Sequence, residues 1–80
     1  MFRLYSSDQV GQLLVAQRKA KGLTQAEVAV RLGISQNRWS ELENNPAQLT
    51  IDRLLAVGAL LDLEWFVQER GKTPPPVTDW

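Results

Sequence analysis

The chain has 80 residues, with nine Lys and Arg against nine Asp and Glu, and it contains neither histidine nor cysteine. That length holds one small domain whose core supplies about 3–5 kcal/mol of net stability, so support from a second chain is expected. The missing Cys and His exclude disulfides, nitrogen- and sulfur-ligated zinc and His-based nucleophiles, so no metal or cofactor is expected; no apolar run approaches the roughly 20 residues of a bilayer span, and the expectation is a soluble cytoplasmic protein with no membrane partner.

Four helix starts share one pattern, an apolar residue, then Ser or Thr, then an apolar residue four positions after the hydroxyl. This is the hydrophobic staple around an N-cap, where the hydroxyl accepts an orphan backbone N–H. In chain order the starts are Tyr5/Ser6/Val10, Leu23/Thr24/Val28, Ile34/Ser35/Trp39 and Leu49/Thr50/Leu54. Gln9 and Glu27 complete capping boxes in the first two, and Asp52 sits where the dipole of the fourth favours an anion. Gly22 and Gly33 supply left-handed stops and Pro46 blocks continuation, so helices are predicted over about 7–21, 25–32, 36–44 and 51–61. The apolar faces read as Val10, Leu13, Leu14 and Gln17 with Arg18 at the edge, then Val28, Ala29 and Leu32, then Trp39 and Leu42, and last Ile51, Leu54, Leu55, Gly58 and Leu61.

After Leu61 the periodicity changes to two, and residues 63–69 read as a short β-strand built on Leu63, Trp65, Phe66 and Val67. A lone strand leaves its backbone groups unpaired, so pairing with a second copy in a homodimer is expected, with packing on the fourth helix as the alternative. From 70 to 80, three prolines and few apolar side chains predict a flexible tail, and its terminal Trp80 has the form of an anchor for a partner protein, with a tail that folds back on its own domain or has no role as the alternative. The division is therefore 1–62, a helical domain; 63–69, a dimerisation strand; and 70–80, a tail. Residues 1–60 hold seven basic and five acidic groups and residues 61–80 two and four, so the neutral total conceals a basic domain and an acidic extension.

The stretch from Gln25 to Asn44 carries the functional signal. Close crossing of two helices needs the small Ala29, the tight turn needs Gly33, and Trp39 with Leu42 plugs the second helix onto the core, which are the demands of a helix-turn-helix. Gln36, Asn37, Ser40 and Glu41 are then expected on the opposite, exposed face, where this motif contacts base edges. Amides pair bidentately with adenine, and Arg38 can fork onto guanine or a phosphate. Between Arg18 and Arg38, five basic residues (Arg18, Lys19, Lys21, Arg31, Arg38) against the single acid Glu27 give a local excess that suits a phosphate backbone.

The run Arg18, Gly22-Leu23-Thr24-Gln25-Ala26-Glu27-Val28-Ala29, Leu32-Gly33-Ile34-Ser35-Gln36 and Ser40-Glu41-Leu42-Glu43-Asn44 resembles the Xre/Cro helix-turn-helix family. With Tyr5-Ser6, the Glu43-Asn44-Asn45-Pro46 run, the short strand and the terminal Trp, the chain is similar to the HipB antitoxins over almost its whole length. The resemblance implies a mainly α, lambda-repressor-like four-helix domain that dimerises, binds palindromic double-stranded operator DNA, represses its own operon and neutralises a HipA-like serine/threonine kinase toxin. It implies phosphate contacts for Gln25 and Asn44, base readout for Ser35, Gln36, Asn37 and Ser40, and an internal Arg18–Glu43 pair. Trp39 departs from the branched aliphatic usual there, and Arg38 and Glu41 are not set by the family pattern.

Two alternatives stand beside this reading, a stand-alone Xre-type repressor without a toxin and a protein-interaction adaptor that has lost DNA binding. An enzyme with a small-molecule substrate is not expected, because Glu41 and Glu43 point in different directions on one helix and the glycines form no phosphate-cradling loop.

Overall fold

A computed structural model describes residues 3–71. Four α-helices follow one another, α1 (Ser7–Ala20), α2 (Gln25–Leu32), α3 (Gln36–Asn44) and α4 (Ile51–Leu60), with a 3₁₀ turn at Pro46–Gln48 between the last two. Each starts on its expected hydroxyl. Ser6 accepts from the Gln9 backbone N–H at 3.4 Å, Thr24 from Glu27 at 3.1 Å, Ser35 from Arg38 at 3.0 Å and Thr50 from Arg53 at 3.1 Å. The Gln9 and Glu27 side chains reach back to the cap N–H groups of Ser6 and Thr24, which closes both capping boxes. The backbone N–H and hydroxyl of Thr24 hold the Glu27 carboxyl below the usual carboxylate range. Its contribution to the cap is therefore present at neutral pH and is lost as pH falls through that lowered value.

Three of the four α-helix ends follow one scheme, and α3 instead stops at Asn45 before Pro46. Gly22 (φ 71°) and Gly33 (φ 73°) take the left-handed conformation, and Leu23 and Ile34 donate back to the Arg18 and Ala29 carbonyls at 3.0 Å. α4 ends the same way without a glycine. Asp62 adopts φ 58°, and the Leu63 N–H reaches the Gly58 carbonyl at 2.8 Å. A short polar side chain tolerates that conformation where a branched one would not.

Leu14, Val28, Ala29, Trp39, Leu42, Val57 and Leu61 form the buried core. Of the face expected on α4, Leu54, Gly58 and Leu61 are buried or half-buried, and the stripe departs from expectation at Ile51, Leu55 and Val57. Val57, Gly58 and Leu61 face inward with Leu54 half-buried, whereas Ile51 is 71% and Leu55 52% exposed. Both stripes have helical spacing, and only packing on the other helices decides between them. The outcome leaves two large aliphatic side chains of α4 on the surface.

Gly11, buried in the middle of α1, marks the closest approach of two elements. A Cβ there would lie 2.8 Å from the Glu43 carbonyl oxygen and 2.9 Å from Pro46 Cγ. The obstacle is backbone and a ring, neither of which yields readily. Gly11→Ala is therefore expected to destabilise the domain by about 1–3 kcal/mol through overpacking, despite its gain of about 1 kcal/mol in helix propensity. A lower Tm in thermal denaturation followed by circular dichroism checks this.

Residues 63–69 form no β-ladder within the single chain, and no strand occurs among the described residues. Leu63 and Trp65 are half-buried against the core, and the Trp65 indole occupies the space that a Cβ at Gly58 would take. Phe66 and Val67 are exposed. In the isolated chain Trp65 thus packs on α4, the arrangement weighed against a dimer strand. Its Nε1 is buried without a hydrogen-bond partner among the described residues. Trp80 lies outside the described residues.

Candidate nucleic-acid interface

The first three helices are tied together by one carboxylate. Glu43, near the end of α3, has a side chain 3% exposed and accepts from four nitrogens. They are Arg18 Nε on α1 at 2.7 Å, Arg18 Nη2 at 3.3 Å, Gln25 Nε2 on α2 at 2.8 Å and Trp39 Nε1 at 2.8 Å. Arg18 Nη1 donates to the Leu23 carbonyl at 3.0 Å, in the turn that leads into α2. Paired and hydrogen-bonded on every side, the buried charges satisfy one another. Trp39 is therefore more than a bulky plug. It is fully buried, and its indole N–H lies one helical turn from the carboxylate it serves.

This network fixes how α3 stands on α1 and α2. With Trp39, Leu42 and Glu43 turned inward, Gln36, Asn37, Arg38 and Glu41 are exposed on the other side. Ser40, expected on that exposed face, is half-buried at its edge. Ser35 is exposed, and its hydroxyl is engaged as the cap of α3. Gln25 opens α2 and is half-buried, with its amide nitrogen bound to Glu43 and thus directed inward. Asn44 is exposed at the end of α3, on the rim of an open groove that Gln12 and Lys19 of α1 also line.

The local basic excess is smaller than its count suggests, because three of the five cations are paired. Arg18 is consumed by Glu43, Lys21 pairs with Asp62, and Arg38 pairs with Glu41. Lys19 and Arg31 carry no ion pair of this kind among the described residues. Lys19 and Asn44 border the same groove, which Asp8 also lines.

Three supporting side chains escape sequence reasoning. Arg53 on α4 donates to the Leu32 carbonyl at 3.0 Å and caps α2 from outside. Gln17 donates to the Leu61 carbonyl at 2.8 Å, joining α1 to the end of α4. Gln48 accepts from Arg38 Nη1 at 3.0 Å. None is adjacent in sequence to what it holds, so no local pattern reveals it.

The helix-turn-helix family model matches residues 14–66. The antitoxin HipB of Escherichia coli strain K12 is 29% identical over 77 residues, covering 96% of this chain and 88% of the relative. Among solved structures, a HipB–O1–O2 complex superposes with a TM-score of 0.76 at 29% identity, over 86% of this chain and all of the other. A HipA–HipB–O2–O3 complex gives 0.77 at 28% identity, over 88% of this chain and 99% of the other.

Proposed function

The chain belongs to the helix-turn-helix family, and on that premise we propose that it is a DNA-binding antitoxin that represses its own operon as a homodimer and neutralises a HipA-like kinase toxin. The observation that carries the DNA-binding part is the exposed face of α3, where Gln36, Asn37, Arg38 and Glu41 stand together on a helix braced from behind by the Glu43 network. In this reading Gln36, Asn37 and Arg38 read base edges in the major groove, with Ser35 and Ser40 at the margin, and Gln25 and Asn44 steady the phosphates. For Gln25 the donors available are its second amide hydrogen and the backbone N–H groups at the α2 N-terminus, since one amide hydrogen already serves Glu43.

Dimerisation is supported by apolar side chains that the single chain leaves uncovered, Ile51 and Leu55 on α4 and Phe66 and Val67 beyond it. Large exposed aliphatic and aromatic groups suit a partner surface. The strand of residues 63–69 would pair with its counterpart, giving the Trp65 indole N–H an opportunity to find the acceptor it lacks among the described residues. Two α3 helices about 34 Å apart would then enter successive major grooves of a palindromic site. The antitoxin part rests on the likeness to HipB over 96% of the chain.

Retardation of its own promoter fragment by the purified chain tests the first part, and failure to retard it at low salt would overturn that part. For the second, a tagged full-length chain is expected to co-purify with a kinase-like protein from its native cells. Deleting residues 71–80 is expected to abolish that co-purification while leaving promoter binding within about twofold. Retention of the kinase by the shortened chain would rule out Trp80 as the anchor.

A further inference from the structure

An acidic side chain on a helix that approaches phosphates requires a reason, and Glu41 stands exposed on such a face. Its carboxylate accepts from Arg38 Nη1 at 3.2 Å, and Gln48 in the 3₁₀ turn accepts from the same nitrogen at 3.0 Å. The guanidinium is thereby drawn toward the C-terminal end of α3, and its charge is largely cancelled by a neighbour one turn away. Nε and Nη2 make no hydrogen bond to the described residues, so two donor positions are left for a ligand.

We propose that Glu41 and Gln48 form a clasp on Arg38 that sets the discrimination between operator and unrelated DNA, holding its Nε–Nη2 edge for a guanine and keeping the guanidinium from a lone phosphate. The inference rests on the DNA-binding reading above and deepens it. Relative strengths decide the outcome. An exposed ion pair is weak, comparable with one screened phosphate contact, so exchanging Glu41 for a phosphate gains little. A guanine offers O6 and N7 together to the Nε–Nη2 edge, a base-specific bidentate contact that needs no exchange with Glu41. On unrelated sequence Arg38 therefore stays clasped, and Glu41 keeps the net charge of the face down. On a site with guanine opposite Arg38 the Nε–Nη2 edge takes O6 and N7 while the clasp holds Nη1.

The test compares the full-length wild type, Glu41→Ala and the double variant Glu41→Ala/Arg38→Ala on two duplexes, the promoter fragment and a scrambled duplex of equal length, across a salt series. Both changes are on exposed residues, and thermal denaturation verifies that each variant folds. For Glu41→Ala, affinity for the scrambled duplex is expected to rise about three- to tenfold, with a salt slope steeper by about one phosphate contact per protomer, since Arg38 becomes free to neutralise one. Promoter affinity is expected to rise less, so the specificity ratio falls, and the double variant is expected to lose the gain on scrambled DNA.

Equal gains on both duplexes would show simple repulsion by Glu41 and overturn the clasp, as would no gain at all or a gain that persists without Arg38. A wild-type chain that binds neither duplex would overturn the DNA-binding reading itself, a result distinct from any of these.

Discussion

Glu43→Ala is expected to cost about 3–5 kcal/mol, the range for removing one partner of a buried, hydrogen-bonded ion pair, and so to unfold most of the chain at 37 °C. The loss is large because four donors share that carboxylate, from Arg18, Gln25 and Trp39. Without it the Arg18 guanidinium keeps only the Leu23 carbonyl while its side chain remains 11% exposed. A domain of this size has net stability of about the same magnitude, so little reserve remains. Glu43→Gln keeps one oxygen acceptor and replaces the other with a donor that faces donors, so its cost is expected to be smaller and still substantial. Trp39→Phe removes one of the four bonds and leaves the acceptor satisfied by the rest, for a loss of about 1 kcal/mol plus any packing change. Urea denaturation of the three variants followed by circular dichroism checks the order Glu43→Ala, Glu43→Gln, Trp39→Phe.

The paired substitution Gln36→Ala with Arg38→Ala is expected to remove operator recognition while leaving the fold intact. Both side chains are exposed, and neither belongs to the Glu43 network, so stability should change by no more than about 0.5 kcal/mol for each. A good bidentate contact is worth about 1–3 kcal/mol of base discrimination, so losing two costs about 2–6 kcal/mol per half-site. In affinity that is a loss of roughly 30-fold to ten-thousand-fold for each half-site, compounded over the two half-sites of the promoter fragment. Fluorescence anisotropy of a labelled promoter duplex measures it. Unchanged promoter affinity in a folded double variant would remove α3 from the readout.

The first substitution acts on a buried residue of α3 and the second on exposed ones, so one decides whether α3 is held and the other what it presents. Helix boundaries were legible in the sequence because capping is local: a hydroxyl three residues from the N–H it accepts needs no knowledge of the fold. All four starts coincide with their Ser or Thr, and the ends fall within one residue of expectation. Tertiary choices were less legible. On α4 the pairs Ile51/Leu55 and Val57/Leu61 both have helical spacing, and burial of the second pair follows from contacts with residues far away in sequence.

The same limit applies at the site. The Arg18–Glu43 pair followed from the resemblance to the Xre family, yet the contributions of Gln25 and Trp39 to the same carboxylate depend on how three helices meet. The exposed face of α3 was readable except at Ser40, which the packing of the helix half-covers. Charge counting overstated the free cations, since an ion pair such as Lys21–Asp62 joins residues 41 positions apart. Trp65 had two readings, and the isolated chain shows the one on α4, where Gly58 leaves room for its ring.

The central claim is that the exposed face of α3 reads a specific, two-fold symmetric DNA sequence. Hydroxyl-radical footprinting of the full-length chain on its own promoter, repeated over a salt series, tests it most directly. The account predicts two protected half-sites related by a dyad and centred about one helical turn apart, with affinity that falls steeply as salt rises. Uniform protection without half-sites, or no protection at low salt, would contradict it.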